Sequence, residues 1–246
     1  MHVQVLQRMP LKSLQSLLQF TTVLPLGKPA DLIYFARRSY IYPLAGYVTG
    51  GLAALFVFWI PEPSIAAALG MAFLFLLSGC NHLDGLLDLG DGIMAHGSRE
   101  RRVAALTDRS LGSGAFAFGI SFTLISFACL YGQAHIWAAL IASEVGAKFS
   151  MAFLTACGDP FHEGLHSLLH SHARPYFPFI ALLFCLPLIL LPFSPAALAA
   201  TGIAMVASPL LLLMVARRLF GGVNGDVVGA SNEITRAVVL LVLAMA

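Results

Sequence analysis

The chain has 246 residues, 59% of them hydrophobic and only 11% charged, with a formal net charge of +2. A soluble domain carries about 25% charged residues, so this composition, with a mean hydropathy of +0.85, excludes a soluble globular protein. The near-neutral balance offers no basic face to nucleic acid, and the cysteines at 80, 129, 157 and 185 lack CxxC spacing, which leaves them as small packing residues.

The chain reads as one membrane-embedded domain, 1–246, all-α, a polytopic bundle of six to seven transmembrane helices. Its first 39 residues form a cytoplasmic segment with no secretory cleavage pattern. Over 9–24, Leu11, Leu14, Leu17, Leu18 and Phe20 alternate with Lys12, Gln15 and Gln19 at helical spacing, the pattern of an amphipathic helix on the membrane face. Apolar runs follow at 41–60, 64–81, 114–131, 135–157, 176–193 and 196–216, and a shorter one starts near 233. Arg8, Lys12, Lys28, Arg37 and Arg38 precede the first run, Arg99, Arg101, Arg102 and Arg109 follow the second, Arg174 follows the fourth, and Arg217 and Arg218 follow the sixth. All fall on one side. The opposite turns at 61–63, 132–133 and 193–195 carry no Lys or Arg, so the charged side is expected to be cytoplasmic.

The second run delivers the chain to an acidic stretch, residues 82–92. As a helix it places Asp84, Asp88 and Asp91 at i, i+4 and i+7 on one narrow face. Like charges so crowded cost stability, and a divalent cation with oxygen ligands, Mg²⁺ or Mn²⁺, neutralises them. The glycines at 85, 90 and 92 clear side chains from beside that face, opening the backbone to a metal or a bulky phosphorylated substrate. The plain alternative is a solvated acidic helix end, which would interleave Lys rather than Gly and Leu. Beyond it, Arg99, Arg101, Arg102 and Arg109 can offset charge on a transferring phosphoryl group, although Arg101 and Arg102 read equally well as topology-setting or headgroup-contacting residues.

In the fourth run Glu144 and Lys148 stand at i, i+4, either an ion pair or a phosphate contact. The loop after it holds His162-Glu163-Gly164-Leu165-His166, which matches H-E-x-x-H; a zinc protease would use both histidines, Glu163 as base and His170, His172 or Asp159 as third ligand. Gly164 inside the pattern and Pro160 just before it weigh against a helix there. Asp84, Asp88, Glu144 and Lys148 can also be read as a transporter's ion relay, but no internal repeat accompanies them. In the last stretch, 221–233, a glycine-rich loop opening a helix offers backbone N–H groups to phosphate, with Asp226 and Glu233 seven residues apart as further ligands or a base. Close helix packing is the alternative for Gly229 and Ala230.

Two of these stretches carry a resemblance. His-Leu-Asp-Gly-Leu-x-Asp-x-x-Asp-Gly at 82–92 resembles the central motif of the cobalamin synthase family, the adenosylcobinamide-GDP ribazoletransferases, and more loosely the Asp-rich motif of CDP-alcohol phosphotransferases. Gly-Gly-x-x-Gly-Asp-x-x-Gly-Ala at 221–230 resembles the family's C-terminal motif. Weaker likenesses are Phe20 to Pro25 with Tyr42 to Gly46, Asp108 and Gly112 around a swapped Arg109-Ser110, and Glu163-Gly164-Leu165. Lys148 stands where the family usually has Arg, and Arg236 where it often has an acidic residue. The resemblance implies an enzyme of the inner membrane, its site facing the cytoplasm, that joins adenosylcobinamide-GDP to α-ribazole or its 5′-phosphate and releases GMP. It implies Mg²⁺ held by Asp84, Asp88, Asp91 and Asp226, the catalytic set. It also implies substrate contacts from His82, Gly85, Gly92, Arg99, Asp108, Gly112, Lys148, Gly225, Gly229 and Glu233. The lipid bilayer is the other partner, no nucleic acid is involved, and self-association is left open.

Overall fold

The computed structural model describes residues 2–246, with side chains from residue 10 onward. In chain order come α1 (His2–Thr21), the one-turn α2 (Ile33–Ala36), α3 (Tyr42–Val57), α4 (Pro63–Leu77), α5 (Asn81–Met94), α6 (Arg99–Leu106), α7 (Ser113–Tyr131), α8 (Ile136–Cys157), α9 (Leu165–His172), α10 (Phe177–Cys185), α11 (Pro195–Leu219) and α12 (Gly225–Met245). Among the described residues, five helices are long and apolar enough to cross a bilayer: α7, α8, α11, α12 and α3 with the turn before it. Two further pairs pass the same test only together, α4 with α5, bent by 92°, and α9 with Phe177–Leu190, bent by 93°. The chain is an all-α polytopic membrane protein.

Two boundaries differ from the sequence reading. The run at 64–81 is a shorter helix that stops at Leu77, because Gly79 (φ 62°) and Cys80 (φ 59°) both take the left-handed region and turn the chain into α5. Val23 N–H closes that helix end by donating to the Leu77 carbonyl at 2.9 Å. The last span is not short. It begins at Gly225, where the Asn224 side chain accepts the Val227 N–H at 3.0 Å, and runs 21 residues. Its polar first half hid it from hydropathy.

α8 is the core of the bundle, packed by α3, α12, α10 and α11, while α7 and α11 turn most of their surface outward. α1 buries a face made of Ser13, Ser16, Leu17 and Thr21; Ser13 Oγ donates to the Tyr34 carbonyl at 2.9 Å and Ser16 Oγ to that of Asp31 at 3.2 Å, while Leu11 stays 70% exposed. This helix therefore meets the protein through small polar groups together with Leu17, flanked by the half-buried Leu14 and Leu18.

Candidate active site

α5 lies across the starts of α7 and α12. A Cβ on Gly85 would come within 2.6 Å of the Asp226 carbonyl and 3.1 Å of Ala230 N, and one on Gly90 within 2.6 Å of the Gly114 carbonyl. Only hydrogen at these two positions permits the crossing. Gly229 answers from α12, its Cβ direction 3.5 Å from the Asn81 carbonyl. The two motifs, far apart in sequence, thus form one structure, with Asp84 and Asp226 lining the same cavity.

The four aspartates differ in what they touch. Asp91 caps α7 from another helix: its Oδ2 accepts Gly112 N–H at 2.7 Å and its Oδ1 accepts Ala115 N–H at 2.9 Å, where the helix dipole favours an anion. Asp226 accepts from Asn224 Nδ2 at 2.7 Å through Oδ2 alone. The side chains of Asp84 and Asp88 have no hydrogen-bond or ion-pair partner among the described residues, and the charges of Asp226, Asp84 and Asp91 all act on Asp88. An all-oxygen set with no Lys or Arg ion pair among the described residues fits a hard divalent cation. Among the described residues no three Asp, Glu, His or Cys side chains already stand in a metal-holding arrangement, so ligation requires these carboxylates to converge.

The remaining predicted positions divide. Gly112 lies against the Asp91 carboxylate, and Gly92 packs against Leu106 and Phe220, both as contacts inside the protein. Gly225 has nothing within 4 Å of its Cβ direction. Asp108 lines a cavity of about 290 Å³ with Asp91 and Gly112; the Ser110 N–H, 3.1 Å away, holds its carboxyl below the usual range. Arg99 extends over Gly221, whose φ of 87° needs glycine, and so stands beside the C-terminal motif.

Lys148 and Glu233 are placed elsewhere, in a buried network with Glu144 and Arg236. Arg236 Nε donates to Glu144 Oε1 at 2.7 Å and its Nη1 to Glu233; Lys148 Nζ donates to Asn232 Oδ1 at 2.6 Å and lies 3.7 Å from Glu144. Thr49 and Asn232 complete the two carboxylates. All four ionic groups are at most 4% exposed, and their charges sum to zero. Sequence reasoning treated Arg236 as a departure; its signal was that four charges in otherwise apolar spans cancel. This closure also removes Glu144 and Lys148 from any relay.

The H-E-x-x-H stretch is not one helix. α9 begins at Leu165, leaving His162 outside it, and His166 Nε2 donates to the Gly158 carbonyl at 2.8 Å. His82 is buried beside Asp84 on the same cavity.

Fold and site together define a multi-pass helical membrane protein whose unpaired aspartates face a glycine-rich helix start. Residues 13–244 match the family model described as cobalamin-5-phosphate synthase, and the chain belongs to that family. It is similar to the adenosylcobinamide-GDP ribazoletransferase of Methanococcoides burtonii, 35% identical over 96% of this chain and 93% of the relative. It is likewise similar to those of Archaeoglobus fulgidus (35%, covering 95% and 97%) and Deinococcus radiodurans (35%, covering 93% and 84%). No solved structure matches the chain.

Proposed function

We propose that this chain is an adenosylcobinamide-GDP ribazoletransferase of the inner membrane that uses Mg²⁺ at a site facing the cytoplasm. Family membership supports the reaction, and one observation carries the placement of its chemistry: the crossing of α5 and α12 at Gly85, which sets Asp84 and Asp88 beside Asp226. A hydroxyl of α-ribazole forms a new bond to the cobinamide-linked phosphorus, the bond from that phosphorus to GMP breaks, and GMP leaves with the electron pair. Asp84, Asp88 and Asp226 would hold the cation, which when bound offsets charge on the phosphoryl oxygens and the leaving group. Asp91 anchors the start of α7 so that the face stays fixed. A carboxylate on this face takes the hydroxyl proton. The backbone N–H groups opening α12 offer donors to a phosphate, with Gly225 leaving the approach clear. The positive-inside pattern supports the cytoplasmic assignment.

The test is GMP release by the purified chain in lipid vesicles, given adenosylcobinamide-GDP, α-ribazole and Mg²⁺. Transfer with these substrates supports the reading; release of CMP from CDP-alcohols in place of GMP would replace it.

A further inference from the structure

A cavity of about 430 Å³ opens beside Asp84 and Asp226, walled by α1, α3, α5, α8, α9 and α12. That size suits a small ligand, not a corrin. Phe20, Tyr42, Met151 and Leu169 supply apolar and aromatic surface, Gln19, Asn81 and Thr155 supply uncharged polar groups, and no Lys or Arg lines it. Among these walls sit two buried histidines, each 4% exposed, whose Nδ1 atoms have no hydrogen-bond partner among the described residues. Since His166 gives its Nε2–H to the Gly158 carbonyl, the Nδ1 of the neutral ring is an acceptor, whereas His82 is free to take either tautomer and donate. Buried polar atoms left in this state call for a partner from outside.

Resting on the transferase reading above, we infer that this cavity seats the acceptor nucleoside, a benzimidazole base on ribose, with its sugar turned toward Asp84 and Asp226. A flat, methylated bicycle carries one unprotonated ring nitrogen, matched to a donor such as His82, and lays its faces on the aromatic and apolar side chains of Phe20, Tyr42, Met151 and Leu169. The ribose hydroxyls supply the donor that His166 lacks.

The experiment titrates α-ribazole, and separately GMP, into the full chain in lipid nanodiscs without transfer taking place. Met151→Trp fills the cavity and should weaken α-ribazole binding at least tenfold; Thr155→Val, which keeps the volume and removes a lining hydroxyl, should weaken it about threefold, and GMP affinity should not change in either. The inference is overturned if the wild-type chain does not bind α-ribazole, if either folded variant binds it as the wild type does, or if GMP binding falls instead. A chain that binds in the expected pattern but releases no GMP keeps this inference and sinks the activity. One that transfers while its ribazole affinity ignores both substitutions does the reverse.

Discussion

Asp88 and Asp91 lie one turn apart on α5, and their surroundings give them different tasks. Asp88 has no partner and feels three other carboxylates, so Asp88→Asn removes charge a cation needs without breaking a contact. Transfer should fall by about a hundredfold, the effect of losing a major electrostatic stabiliser, with partial rescue at high Mg²⁺; full activity at low Mg²⁺ would sink the metal assignment. Asp91 holds two backbone N–H groups of α7. Asp91→Ala should therefore cost about 1 kcal/mol of stability, read as an earlier thermal unfolding in detergent that Asp88→Asn does not share. Sequence spacing placed all three aspartates on one face, and the helix bears that out. It carried no sign that Asp91 caps a helix 21 residues further on, because a capping partner supplied across space has no fixed sequence offset.

At the scale of elements, helix crossings and interior charges decide. Gly85→Ala would drive a methyl into the Asp226 carbonyl and separate α5 from α12, at a cost of about 1–3 kcal/mol and with loss of transfer. Gly225→Ala meets open space and should leave stability unchanged; equal destabilisation by both would contradict the crossing. Arg236→Met strands Glu233 and one side of Glu144, so it should cost about 3–5 kcal/mol, whereas adding Glu233→Gln should recover part of that loss. A double variant less stable than the single one would show that the pair is not mutually compensating. The sequence reading has a glycine-rich loop opening a helix within 221–233, and the structure adds that Asn224 caps it and that the span begins there. Hydropathy passed over it because Asn232, Glu233 and Arg236 follow, and their polarity is met by one another and by Glu144 and Lys148 on α8.

For the molecule as a whole, Lys and Arg positions in the sequence fixed a shared side for both motifs, and their packing against each other agrees with this. Cys at Ser98 and at Arg218, both exposed, should react with an impermeant thiol reagent from one side of sealed vesicles; reaction from opposite sides would break the site apart. The two right-angled corners were not legible, since an apolar run records composition and not direction, and Cys80 in the left-handed region follows no propensity.

The buried charges bear on how such a chain reaches its place. Glu144 and Lys148 share α8, four residues apart, and Glu233 and Arg236 share α12, three apart. Each pair can thus leave the translocation machinery electrically neutral, sparing the penalty of a lone ion in hydrocarbon. Only afterwards, when α12 emerges, do Arg236 and Asn232 reach across to Glu144 and Lys148 and bind it to a helix inserted before it. Glu144, Lys148 and Arg236 thus serve first as charges neutralised within their own helices and then, with Asn232, as the latch between α8 and α12.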